Sequence, residues 1–249
     1  MQKLDLVYPL AAESAWDHNE IRYSLRSAEA YFPINQVWVI GHKPAWLTGV
    51  QHIPHPDPYP VGQNKDANMI QKILRVCFEP SLTAEFVRMS DDQLFLTPWI
   101  KEVQGLPRAQ HEVNANSDFT SKDYLQRVRR TWQALGARKL DCLKYEGHIP
   151  YLYDKYEFGR IMTSYAYGAD YGLCINTLYF NTLYPKPIAP IGVGDIKAQF
   201  FGQQKHFSRK DILRRMEGKW FMNYSDPGLT PELKQVIEER FPTKSRFEK

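Results

Sequence analysis

Leu4-Asp5-Leu6-Val7-Tyr8-Pro9-Leu10, the helically spaced Ile21, Leu25, Ala28 and Phe32, and then Gln36-Val37-Trp38-Val39-Ile40-Gly41 form the opening that decides the fold. The first run is rich in strand formers, and Pro9 is expected to end it. Asp17 and Glu20 stand at capping-box spacing, with Asp17 as cap and Glu20 reciprocating. The spacing predicts a helix over 18–32, closed by Pro33. The apolar run 36–41, stopped by glycine, predicts a second strand buried on both faces. Strand, helix, strand is the start of a layered α/β fold.

Outward from that opening, residues 51–62 carry proline at nearly every second position, which forbids a helix and predicts an extended loop. A helix is expected from Lys65, with Ala67, Ile70, Ile73, Leu74 and Cys77 on one face. Ala84 to Met89 reads as a strand running straight into Ser90-Asp91-Asp92-Gln93, and Leu94 to Leu96 resumes the apolar pattern before Pro98. Residues 103–120 read as a loop, after which Thr120 and Asp123 open a helix carrying Lys122, Arg127, Arg129 and Arg130. Tyrosines crowd 144–160 around Gly147-His148-Ile149-Pro150, and the breaker-rich stretch 168–195 carries no clear element. A basic helix is expected around 208–217, a last strand over Trp220 to Asp226, and a final helix capped by Thr230 with Pro231 in its first turn. With no internal repeat, linker or low-complexity tract, residues 1–249 read as one domain, with a helical or loop excursion expected at 103–160.

Composition excludes several classes. With 43% hydrophobic and 24% charged residues, the chain is neither disordered nor collagen-like. Cys77, Cys142 and Cys174 are widely spread with no CxxC pair, which excludes a disulfide scaffold and a zinc ribbon and fits a reducing compartment. The start Met1-Gln2-Lys3-Leu4-Asp5 does not suit a signal peptide, and no apolar run approaches the ~20 residues of a membrane span. The expectation is a soluble cytoplasmic protein of unspecified oligomeric state. A formal charge of +4 permits a phosphate-bearing partner without requiring one. Aromatic residues at 14%, beside 17 prolines, suit ordered loops that present flat rings to a sugar or base.

Four groups of residues can carry chemistry. Ser90-Asp91-Asp92 follows a buried strand, where α/β sheets place ligands, and adjacent acids cannot both be core residues. Asp91 and Asp92 together can hold Mg²⁺ or Mn²⁺, or else form a surface turn that caps a helix. Asn19, Glu20, Arg22, Ser24, Arg26 and Ser27 form the second group, with Arg22 and Arg26 one turn apart as phosphate or base ligands, or as a solvated face. Lys65, Asp66, Asn68 and Lys72 open the helix after the proline loop and could meet a phosphate-rich ligand lying along it. His148 and Asp226 are candidate proton acceptors, and a histidine base would leave an inflection near pH 6.5. Each also has a structural reading, His148 packing against tyrosine and Asp226 opening the Asp226-Pro227-Gly228 turn. No G-x-G-x-x-G, Walker A, serine elbow or HExxH motif is present, which removes the simple forms of dehydrogenase, P-loop ATPase, α/β-hydrolase and zincin.

Taken in order, these patches resemble the Stealth family of capsular polysaccharide sugar-phosphate transferases and GlcNAc-phosphotransferase. Residues 19–48, from Asn19-Glu20-Ile21-Arg22 to His42-Lys43-Pro44-Ala45-Trp46-Leu47, are similar to that family's second region. Leu4 to Tyr8 looks like its first, Phe86 to Leu96 like its aspartate-bearing strand end, and Tyr145 to Pro150 like its third. Phe221 to Asp226 and the tail Phe241 to Glu248 look like its fourth, although Pro9-Leu10-Ala11-Ala12-Glu13-Ser14 stands where the family carries Trp-Val-Asp-Gly-Ser-Asp. The resemblance implies a GT-A-like fold, a mixed sheet flanked by helices, with a nucleoside-diphosphate sugar donor and a divalent metal. By similarity, Asn19 and Arg22 lie near the nucleotide, Asp91 and Asp92 near metal and diphosphate, and His148, Arg160 and Asp226 around the reacting centre. The expected activity is metal-dependent glycosyl transfer from a UDP-type sugar. Short chains of this look also occur in phages, where the acceptor is a glycan or a hydroxymethylated DNA base. Sugar-1-phosphate transfer is the alternative, and a nucleic-acid-binding protein on an inactive transferase fold, using the basic helices at 122–130 and 209–215, is a reading from another class.

Overall fold

A strand buried on both faces must be nearly all apolar, and β1 (Leu4–Leu10) is: six of its seven residues are buried. The computed structural model describes residues 2–59, 64–120, 122–190, 192–202 and 207–249. β1 lies at the centre of a five-stranded sheet, between β2 (Ile34–Gly41) and β4 (Glu85–Arg88), both parallel to it. β3 (Gln51–Ile53) adds to β2 in parallel, and β6 (Tyr151–Asp154) closes the other edge antiparallel to β4. The polar exception in β1 is Asp5, which accepts from Asn35 Nδ2 at 2.8 Å, Gln36 N at 3.1 Å, Trp38 Nε1 at 3.0 Å and Thr83 N at 3.0 Å. One buried carboxylate thus ties the start of β1 to β2 and to the approach of β4. Pro9 does not end the strand; it pairs with Ile40, because β4 has already stopped opposite Val7 and the missing N–H costs no ladder bond on that side.

Helix α1 (Asn19–Tyr31) occupies the predicted position, but a different residue caps it. His18, at φ 57°, makes no side-chain cap, and Asp17 also has positive φ. Ser14 Oγ instead accepts from His18 N at 2.6 Å and donates to Glu20 at 2.8 Å, so the cap reaches back to the loop after β1. The predicted extended loop at 51–62 begins as edge strand β3, whose three residues precede Pro54; positions 60–62 lie outside the described residues. Helix α2 (Lys65–Cys77) is capped by Asn64, which accepts from Ala67 N.

Beyond β4 the chain turns at 89–92 and enters β5 (Gln93–Phe95), which belongs to a second sheet ordered β5-β8-β7. β8 (Phe221–Tyr224) is antiparallel to β5 and parallel to β7 (Lys197–Phe200). Alternation along this small sheet feeds two cores. Phe95 and Phe221 join Phe32 and Trp99 in the main core, while Leu94, Leu96, Met222 and Tyr224 pack with α7 (Arg209–Met216) and α8 (Pro231–Arg240).

The stretch 103–160 is part of the main body rather than an excursion from it. After the short α3 (Lys101–Gln104), helix α4 (Asp123–Gly136) packs on α6 (Ile175–Leu183), β6 completes the main sheet, and α5 (Lys155–Thr163) packs on α2. α6 lies inside 168–195, where no element was expected, and is buried over all but its last two residues. The cysteines form no disulfide, and no described helix is long and apolar enough to cross a membrane.

Candidate functional site

Parallel strands followed by helices bring strand carboxyl ends and helix amino ends to one edge, where ligands bind. At that edge lies a cavity of about 700 Å³, lined from the end of β1, the first turns of α1, α2, α4 and α6, the turn after β4, the 146–148 loop and the end of β8. Among the described residues, eight carboxylates and four lysine or arginine side chains face it, in a chain whose overall charge is +4. The lining is therefore acidic against the sign of the whole molecule.

The acids fall into two groups. Asp91 and Asp92, Glu20 from α1 and Asp226 after β8 all act on the Tyr224 hydroxyl, and none of the four belongs to an ion pair among the described residues. Burial, reinforced by Glu20, raises the pKa of Asp91; burial and the neighbouring Asp91 raise that of Asp92. Tyr224 is 2% exposed, its hydroxyl has no hydrogen-bond partner, and burial among these carboxylates keeps it a phenol. Two adjacent unpaired carboxylates with water-accessible space above them suit a hard divalent cation, which removes the repulsion that raises their pKa values. No group of three or more His, Cys, Asp or Glu among the described residues forms a ligand cluster, so solvent and ligand oxygens would complete the coordination.

The second group is Asp66 and Glu146, set against Arg88 and Arg127. Glu146 caps α6 from 30 residues upstream, accepting from Asn176 N at 2.9 Å, Thr177 N at 3.0 Å and Asn176 Nδ2 at 2.5 Å. Asp66 lies 3.6 Å from Arg127, whose Nε donates to Tyr171 O at 2.9 Å. Burial raises the pKa of both acids; at Glu146 the charge of Asp66 adds to it, whereas at Asp66 the charges of Arg127, Lys65 and Arg88 oppose it. Arg88, 6% exposed, contacts the Met69 sulfur at 3.1 Å and leaves its Nε without a partner.

The predicted site residues divide accordingly. Asp91, Asp92, His148, Asp226, Lys65 and Asn68 all line the cavity. Asn68 is occupied there, accepting from Tyr59 N and donating to Tyr59 O. Lys72 is not a surface lysine: 2% exposed, it donates to Leu10 O at 2.8 Å and pairs with Asp57 at 2.7 Å, holding the proline loop on the end of β1. Gly41, at φ +110°, makes this contact feasible, because a Cβ there would lie 2.8 Å from Lys72 Nζ and 2.2 Å from Leu10 O. Asn19 starts α1 but is not among the lining residues. Arg22 stacks over Trp46, 4.4 Å from the ring centroid, and Arg26 grips Glu248 with two bonds of 2.8 Å, so their shared helix face packs on the chain's tail. Arg160 is exposed on α5 and pairs with Glu157 one turn away, outside the cavity. Helical spacing had shown that Arg22 and Arg26 share a face, but not which partner that face meets.

His148 projects into the cavity at φ 49°, its ring edge-on to Phe201. Although His148 is exposed to solvent, the desolvating cavity walls and then Lys197, Arg88, Lys65 and Lys144 push its pKa down to about 3. That value lies below the inflection near 6.5 expected of a histidine base. Lys197 donates to Gly147 O beneath the loop, and burial lowers its pKa to about 8. Sequence spacing does not mark Arg88, Glu146 or Tyr224 as chemistry-bearing, and it places Arg127 only on a basic surface helix. The signal for Arg88 was present, since a charge inside the apolar run 84–89 needs a reason to be buried. The basic helices are largely tied down: Arg127 faces inward, Arg130 reaches Ala169 O, Arg209 pairs with Glu239, and Arg214 with Asp211.

No protein-family model matches the chain, and no curated protein matches it at a significant level.

Proposed function

We propose that this chain is a metal-dependent glycosyltransferase of GT-A-like fold that uses a nucleoside-diphosphate sugar. The observation that carries this reading is the unpaired Asp91-Asp92 turn at the carboxyl end of β4, facing a cavity large enough for a nucleotide sugar. A Mn²⁺ or Mg²⁺ ion on these carboxylates would supply the positive charge that stabilises a departing nucleoside diphosphate. Asp226, exposed in the cavity and without an ion pair, takes the proton of the acceptor hydroxyl as its oxygen attacks the anomeric carbon. His148, held neutral, orients the acceptor rather than titrating. Lys65 at the start of α2 meets the phosphates from the open side.

Sugar-1-phosphate transfer is a second reading, favoured by Glu13 and Glu20. They bring carboxylates into the cavity from the loop after β1 and the start of α1, and Glu20 acts on Asp91. The same donor would then be attacked at phosphorus, with nucleoside monophosphate leaving. The acceptor is a glycan or a DNA base; a strong fall of DNA affinity with salt would support the second.

The test is a calorimetric screen of UDP, GDP and CMP sugars with and without Mn²⁺, followed by identification of the nucleotide released. The expected result is metal-dependent binding of one donor, lost in Asp91→Asn, with release of a nucleoside diphosphate. Release of a nucleoside monophosphate from a UDP or GDP sugar selects the second reading, and no donor binding with Mn²⁺ overturns both.

A further inference from the structure

The two acid groups of the cavity differ in charge balance, and that difference points to different ligands. Around Tyr224, four carboxylates stand without an ion pair among the described residues, an arrangement that calls for a cation. Around Asp66 and Glu146, by contrast, the guanidinium groups of Arg88 and Arg127 supply opposing charge, Arg88 acting on Asp91 and Asp92 as well. An anion would meet the two acids there, and a cation the two arginines. A neutral group rich in hydroxyls meets neither penalty, since each hydroxyl can donate to a carboxylate and accept from a guanidinium.

We propose that Asp66 and Arg88 form a metal-independent subsite that binds the hydroxyls of a neutral sugar ring, which under the glycosyltransferase reading is the sugar of the donor. Arg88 lines the cavity with its Nε buried and without a partner, whereas its Nη2 rests on the Met69 sulfur. Met69 is three residues after Asp66 on α2, so the guanidinium lies along the helix face that carries the carboxylate. A buried arginine nitrogen without an acceptor is costly, and a ligand hydroxyl oxygen at this position relieves that cost. Asp66 is held by Arg127 and by the Ile175 N–H, Arg127 also by Tyr171 O, and Glu146 by the start of α6, so a ligand hydroxyl would meet the remaining lone pairs of Asp66 and the unpartnered Nε of Arg88. Tyr124 and Asn176 also line the cavity and limit the ring that can enter.

The subsite rests on the proposed function for the source of the sugar, and the experiment separates the two. Affinities of UDP and of UDP-glucose, UDP-galactose and UDP-N-acetylglucosamine are measured by calorimetry with Mn²⁺ for the native chain, Asp66→Asn and Arg88→Gln. The expected result is that one sugar nucleotide binds the native chain more tightly than UDP, and that either substitution removes about ten- to a hundredfold of that affinity while UDP binding stays within about threefold. Equal losses for UDP and its sugar, or no loss in either variant, overturn the proposal. Free glucose, galactose and N-acetylglucosamine are also tested by saturation-transfer NMR. Saturation with the native chain but not with Asp66→Asn supports the subsite even if no nucleotide binds, in which case the transferase reading falls alone. If no nucleotide binds and no hexose shows saturation with the native chain, the subsite falls too. Thermal unfolding of both variants establishes that they fold; should Asp66→Asn not fold, Arg88→Gln alone decides by the same criteria.

Discussion

Replacing Asp92 by asparagine should stabilise the metal-free protein at pH 8 while removing its response to Mn²⁺. The carboxyl group has an ordinary value of 3.8 and is pushed up to about 7 by burial and Asp91. The sign is the reverse of a salt-bridged acid: between these values the folded state holds more protons than the unfolded chain, so stability falls as pH rises through the window. Full transmission of that shift would correspond to about 4 kcal/mol. Because the cavity admits water and Asp91 shares the repulsion, about 1–2 kcal/mol is expected. For a chain of this length that is a rise in Tm of about 3–6 °C at pH 8, shrinking toward zero near pH 4, where the native carboxyl is itself neutral. The assay is differential scanning calorimetry of both proteins from pH 4 to 8, with and without Mn²⁺. Comparing the two at each pH isolates Asp92 from Asp91, Asp66 and Glu146, which act in the same direction, and from His148, whose lowered value makes stability rise with pH below 6.5. Mn²⁺ should raise the Tm of the native chain and leave that of Asp92→Asn nearly unchanged. A variant less stable than the native chain at pH 8, or one that Mn²⁺ still stabilises equally, would refute the reasoning.

Three further outcomes follow from the same geometry. Asp5→Ala should lose about 3–5 kcal/mol in chemical denaturation, because four donors around a fully buried position lose their acceptor; a loss below about 1 kcal/mol would mean that water replaces the carboxylate. Arg26→Ala should lower stability by about 2–4 kcal/mol while leaving nucleotide affinity unchanged by calorimetry, since its partner is Glu248 and not the cavity; a selective loss of affinity would return α1 to the binding surface. The rate against pH should show no inflection near 6.5 attributable to His148, and His148→Gln should preserve the shape of the profile while lowering its height; an inflection that the substitution abolishes would show that the ring titrates normally.

The elements legible in the sequence were those whose pattern is local. β1, α1, β2, α2 and β4 carry their own periodicity, and the Asp91-Asp92 turn could be placed at a strand end because burying adjacent acids is costly. α6 was not legible: Ile175 to Asn181 are all buried, so no polar face marks a helical period, and its cap comes from Glu146 far upstream. β6 (Tyr151–Asp154) and β7 (Lys197–Phe200) lie outside any continuous apolar run of the kind that marks β1 and β2, and β6 takes its place at the sheet edge by pairing with β4. Within the site, Lys65, His148 and Asp226 were readable as residue types near breakers. The roles of Arg22, Arg26 and Lys72 depended on which way a helix faces, which the tail at Glu248 and the end of β1 decide. Arg88 and Glu146 matter through neighbours distant in sequence, and single-chain spacing carries no record of such contacts.

The small sheet has a parity that governs the chemistry beside it. Leu94, Phe95 and Leu96 alternate between two separate cores and follow Asp92 after the single residue Gln93. Inserting or deleting one residue at this junction would send Phe95 toward α7 and α8 and Leu94 toward Trp99, exchanging the occupants of both interiors. The reach of the two carboxylates into the cavity is therefore indexed by packing on the far side of the strand. The step from acid pair to strand behaves as a fixed gear tooth, and any working variant of this chain must keep it.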